Sequence, residues 1–149
     1  MNNDQKKKNL STSQILAVIK KSGYFTDVSE VLKEQETLPS FSHSLFEIMT
    51  RHQLAAKDVI LKSGIERSYY YHIMSGQKVP GRNVLLRICL CMSATLTETN
   101  QLLRLAGHSQ LYAKVRRDAA LIFAINKSYT MQEANALLIE AGEQPLYKE

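Results

Sequence analysis

Residues 54–82 read LAAKDVILKSGIERSYYYHIMSGQKVPGR, and the fold turns on them. They describe two short helices, a tight turn and a basic exit loop. Ala55 to Lys62 forms the first helix, Gly64 supplies the left-handed backbone on which such a helix ends, and Ile65 returns the chain to the core. Glu66 to Ser75 forms the second. On it Tyr70, Ile73 and Met74 align at i, i+3 and i+4, with Arg67, Ser68, Tyr71, His72 and Ser75 opposite. One face packs, and the other is free to read a partner.

Upstream, Pro39 breaks the chain, and Ser42 is expected to cap a helix through Arg51 with Leu45, Ile48 and Met49 as its apolar stripe. Before that, Ser13–Ser22 and Val28–Lys33 read as two short helices separated by Gly23. Downstream lies a duplication. Residues 82–112 match residues 117–147 at twelve of 31 positions, an offset of 35. Asn83 and Asp118 stand where an N-cap belongs, Thr95-x-x-Glu98 and Thr130-x-x-Glu133 are capping boxes, and Ala-Gly at 106–107 and 141–142 stops each second helix. Each copy is a helical hairpin closed by Leu-Tyr, expected to fold back over its apolar face. No segment alternates apolar and polar residues long enough to argue a sheet, so the chain reads as all-α.

A chain of 149 residues with 44% hydrophobic content is long enough for one core. No run of about 18 apolar residues occurs, and Met1 to Lys8 lacks the apolar stretch of a secretory signal, so a cytoplasmic protein without a membrane partner is expected. Cys89 and Cys91 would point about 200° apart on a helix, which argues for buried thiols. The net charge of +5 is unevenly spread: residues 41–90 carry seven Lys/Arg against three Asp/Glu, whereas residues 91–149 balance six against six. A polyanionic partner for the central segment fits that distribution.

The stretch from Phe41 to about Gly107 resembles the lambda-repressor/Xre-type helix-turn-helix family. The marks are Ser63-Gly64-Ile65 at the turn, Arg67-Ser68 at the helix start, Ile73 and Gly76 at its end, and Pro80 before the next helix. The resemblance implies a lambda-repressor-like five-helix DNA-binding domain at 41–107, after an N-terminal extension at 1–40 and before an appended C-terminal hairpin at 108–149. It implies a homodimeric, sequence-specific transcriptional regulator of double-stranded DNA. Base contacts fall on Arg67, Ser68, Tyr71 and His72, and phosphate contacts on Lys57, Gln77, Lys78 and Arg82. Two positions depart from the family: Ile60 stands where an alanine is common, and Ala56 where a glutamine often touches phosphate.

The rival reading is a protein-interaction adaptor using the tyrosine-rich face, motivated by Ala56 and by Tyr69 to Tyr71. The C-terminal hairpin could also receive a regulatory protein partner. His43, His52 and His108 lie in separate elements with no second ligand at i+3 or i+4, so no metal is expected. No cofactor is expected either. No phosphate loop, nucleotide-binding glycine pattern or nucleophile signature argues for an enzyme. Lys6-Lys7-Lys8 reads as a solubilising tail, and Arg116-Arg117-Asp118 as a helix start.

Overall fold

The computed structural model describes residues 10–34 and 40–148. The chain divides into two compact units, Met1–Pro39 and Ser40–Glu149. Among the described residues there are nine helices and no strand, which agrees with the all-α reading. None of these helices is long and apolar enough to cross a membrane.

The first unit holds α1 (Thr12–Lys21) and α2 (Phe25–Glu34), which begin one and three residues before the expected starts. Ser11 caps α1. Its Oγ accepts from the Gln14 N–H at 3.2 Å while Gln14 Oε1 accepts from the Ser11 N–H at 2.8 Å. The expected break at Pro39 and the Lys6–Lys8 tail lie outside the described residues.

The second unit holds α3 (Phe41–Arg51), α4 (Ala56–Ser63), α5 (Arg67–Met74), α6 (Arg82–Cys91), α7 (Leu96–Leu105), α8 (Arg116–Asn126) and α9 (Met131–Glu140). Five consecutive helices, α3 to α7, thus fall in the 41–107 stretch. Ser40 rather than Ser42 caps α3, accepting from the His43 N–H at 3.2 Å. The buried Phe41 is already part of the first turn, so the cap must precede it.

Helices α3, α6 and α8 end alike. One residue takes left-handed backbone (Gln53 φ 57°, Ser93 φ 53°, Ser128 φ 55°). The next N–H, from Leu54, Ala94 or Tyr129, then reaches back to the carbonyl of Met49, Cys89 or Ala124. The α3–α4 pair therefore shares the turn of the two visible repeats, at a spacing of 40 residues rather than 35. Across α3 and α6 only Leu45/Leu85 and Ile48/Ile88 are identical.

Helix α6 packs against α4, α7 and α9, and accordingly buries Leu85, Leu86, Ile88, Cys89 and Leu90 around most of its girth. One contiguous apolar cluster runs from Phe41 to Leu146, so residues 41–107 and 108–149 share a core. Each fully buried leucine in it contributes about 1.5–3 kcal/mol. The thiols of Cys89 and Cys91 are both free.

Asn83 and Asp118 are not N-caps. Gly81 and Val115 hold those positions without a side-chain bond, and Asn83 and Asp118 fall inside the first turns. There they receive guanidinium groups from each other's repeat. Arg82 Nη1 and Nη2 donate to Asp118 Oδ1 and Oδ2 at 3.2 Å each, and Arg117 Nη2 donates to Asn83 Oδ1 at 2.9 Å. The same two arginines bind equivalent carbonyls, Arg82 Nε on Ser109 and Arg117 Nε on Gln144. The return segments are also held alike: Asn100 Oδ1 accepts from the Leu111 N–H at 2.9 Å and Asn135 Oδ1 from the Leu146 N–H at 2.7 Å. Leu111 and Leu146 are buried as expected of the Leu-Tyr closures, and Tyr147 packs partly buried against the core, but Tyr112 is 59% exposed.

Candidate nucleic-acid interface

The turn between α4 and α5 is set by Gly64, whose φ of 67° favours glycine. A Cβ added there would stand 3.2 Å from Arg87 Nη2. That guanidinium donates to the Ser63 carbonyl at 2.5 Å, satisfying the last carbonyl of α4, and lies 5.4 Å from the centroid of the Tyr147 ring. The sequence offered no sign of this contact, because Arg87 reads as one more basic residue on an apolar helix. Ile65 is buried beyond the turn, and Glu66 caps α5 without a side-chain bond.

Helix α5 is two-faced as its spacing requires. Tyr70 (2% exposed) and Ile73 (0%) are buried against α3 and the core, and Met74 is half-buried. Arg67, Ser68, Tyr71, His72 and Ser75 are exposed on the other side. The helix stops at Ser75, whose Oγ donates to the His72 carbonyl at 3.1 Å, and Gly76 follows with φ 82°. Its exit loop is tied back by the Lys78 N–H on the His72 carbonyl at 3.1 Å. Further on, His108 Nε2 donates to the Pro80 carbonyl at 2.8 Å and pins the loop's far end.

Of the eight predicted contact residues, seven are exposed: Lys57 in the first turn of α4, Arg67, Ser68, Tyr71 and His72 on one side of α5, and Gln77 and Lys78 in the loop directly after it. Arg82 is placed differently. Its side chain is 24% exposed, and its guanidinium is engaged by Asp118 and by the carbonyls of Ser109 and Gln110, which makes it part of the clasp between repeats. Two cations on this surface lie over tyrosines. Arg67 Cζ is 5.7 Å from the Tyr71 centroid and Lys78 Nζ is 5.9 Å from that of Tyr69. The Tyr70 and Tyr71 rings meet edge to face at 5.3 Å. Burial, and secondarily the neighbouring Tyr71, pushes the Tyr70 hydroxyl above its ordinary range, so it stays protonated.

Each of the remaining histidines has a partner within the chain. His43 pairs with Glu47 one turn on, at 3.2 Å and well exposed. His52 Nε2 lies 2.9 Å from Glu98 Oε1, while Arg51 Nη1 donates to Glu98 Oε2 at 3.0 Å. Glu98 therefore does more than its capping box shows: it joins the end of α3 to the start of α7. Burial alone would raise its carboxyl, but the Thr95 N–H and His52 outweigh burial and hold it below its ordinary value. A cleft of about 520 Å³ opens between α3 and α5, lined by Phe46, Met49, Leu54, Tyr70, Tyr71 and Met74 with Ser42, His43 and Thr50 among its polar members. Phe46 had no role in the sequence reading; at 59% exposed it forms one wall.

No protein-family model matches the chain, and comparisons with curated proteins and with solved structures give no match either, so the candidate interface stands on its own geometry.

Proposed function

We propose that the chain is a cytoplasmic, sequence-specific DNA-binding regulator of the lambda-repressor/Xre kind, in which α4 and α5 form the helix-turn-helix and α5 enters the major groove. Arg67, Ser68, Tyr71 and His72 face the base edges, and Lys57, Gln77 and Lys78 the phosphates. Two copies on a palindromic site would set their α5 helices about 34 Å apart.

One observation carries the reading: α5 is sealed on the side of Tyr70 and Ile73 and open on the side of Arg67, Ser68, Tyr71 and His72, directly before a loop with exposed Lys78. A helix eight residues long with one polar, cationic side exposed suits the roughly 12 Å width of the major groove. Arg67 is the principal specificity contact, because its planar fork matches guanine O6 and N7 and discriminates by about 1–3 kcal/mol.

Fluorescence anisotropy with duplexes enriched from a random pool tests this. Arg67→Ala should abolish preference for the enriched site while leaving weak, salt-sensitive binding. Lys57→Ala and Lys78→Ala should weaken all duplexes alike and each reduce the slope of log K against log salt by about one. Unaltered site preference in Arg67→Ala would remove the assignment.

The adaptor reading keeps one specific support, the apolar cleft beside Tyr71, which is shaped for an inserted apolar side chain of a protein partner. Binding of that kind would persist at high salt, whereas the DNA complex would not.

A further inference from the structure

Arg67 and Tyr71 stand one turn apart on α5, and their side chains form a unit with the guanidinium carbon 5.7 Å from the ring centroid. The ring has a buried neighbour. The Tyr70 and Tyr71 rings meet edge to face with planes 82° apart, and Tyr70 is itself buried with its hydroxyl 3.5 Å from Met49 Sδ. A fixed apolar plate, 46% exposed, thus lies beside a planar hydrogen-bond fork on the outward side of the helix.

Resting on the reading of α5 as a groove-reading helix, we infer that Arg67 and Tyr71 together recognise a guanine flanked by a pyrimidine that carries a C5-methyl group. Arg67 takes guanine O6 and N7, and the neighbouring methyl rests on the Tyr71 ring. The major groove offers one apolar feature, the C5-methyl, and an aromatic side chain is its natural contact. Successive base pairs are about 3.4 Å apart. A ring centred 5.7 Å from a guanidinium lying in the plane of one pair is close enough to touch a methyl on the next. Ring and methyl together exclude water from above the guanidinium, which strengthens its two bonds to guanine. Thymine and 5-methylcytosine present the same methyl, so either base is a source of it.

The probe is the duplex that the full chain enriches from a random pool. The guanine read by Arg67 is the one whose 7-deaza replacement weakens binding of the native chain but not of Arg67→Ala. Beside it, thymine is compared with deoxyuridine, and 5-methylcytosine with cytosine, so that each pair differs by the methyl alone. Removal of the methyl should weaken binding about fourfold, the worth of one buried methyl, and in Tyr71→Ala that difference should vanish. A difference in the thymine pair alone names thymine as the source, and one in the cytosine pair alone names 5-methylcytosine. The inference is overturned if neither pair differs, if the difference survives Tyr71→Ala, or if no guanine shows the deaza effect. These results leave DNA reading standing. Failure to enrich any duplex removes both together.

Discussion

Arg82 and Asp118 meet in a two-pronged ion pair that closes the first sequence repeat on the second, with both oxygens of the nearly buried carboxylate engaged at 3.2 Å. Asp118 also accepts the Tyr112 N–H at 3.0 Å, so one carboxylate fixes a helix start and a return segment at once. Arg82→Met leaves that carboxylate buried without its cation, and unfolding should become easier by about 2–3 kcal/mol. Circular dichroism should show Tm lower by about 8 °C. At temperatures where the variant is folded, its affinity for duplex DNA should match the native chain; weakened binding at an unchanged Tm would show Arg82 acting on DNA instead.

Gly64 and Gly81 should respond oppositely to added side chains. At Gly64 the left-handed φ and the Arg87 guanidinium both oppose a Cβ, so Gly64→Ala should lower stability by about 1–2 kcal/mol. At Gly81 the backbone is extended, nothing lies within 4 Å, and the N-cap of α6 has no side-chain bond. Gly81→Ser supplies the missing hydroxyl and should stabilise by a few tenths of a kcal/mol. Urea midpoints of the two variants measure this, and movement in the same direction would contradict the assigned backbone geometry.

Glu98 gives the fold an acid-sensitive term. Its carboxyl is held below the ordinary 4.5, so the unfolded chain binds its proton at higher pH than the folded one does. Its contribution to stability is therefore complete above about pH 4.5 and is lost as pH falls through the folded value. Glu98→Gln should be less stable than the native chain at pH 7, and the gap between them should narrow toward pH 3. Thermal melts at matched pH report it; a gap independent of pH would separate Glu98 from this role.

Both thiols should resist alkylation in the folded chain. Burial pushes Cys89 up to about 12, and Cys91 up to about 11 despite the opposing pull of Arg87 and Lys62. At pH 8 almost no thiolate is present, and a thiol reagent should label neither rapidly until urea unfolds the chain, when both react. Rapid labelling of one thiol under native conditions would show that its environment is more open than this.

Much of the helical layout was legible because it is local. The spacing of Tyr70 and Ile73 told the buried side of α5 from the side of Arg67 and Tyr71, and the boxes Thr95/Glu98 and Thr130/Glu133 formed as read. Asn83 and Asp118 misled for the same reason: each is a fitting residue at a helix start, and each is drawn into the first turn by an arginine from the other repeat. The α3–α4 pair shares its turn with the two visible repeats through backbone geometry at Gln53, and backbone geometry leaves little trace in side-chain identity.

By itself, then, the sequence determined much of what depends on residues within about four positions: helix faces, the two capping boxes, glycine stops and the all-α class. Which cations remain outward was decided by the tertiary structure. Arg82 and Lys78 lie four residues apart beside the same helix, yet one meets a carboxylate 36 positions away and the other stays exposed. A charge is available to a partner only if no distant residue of its own chain has reached it first, and that contact exists only once the helices have packed.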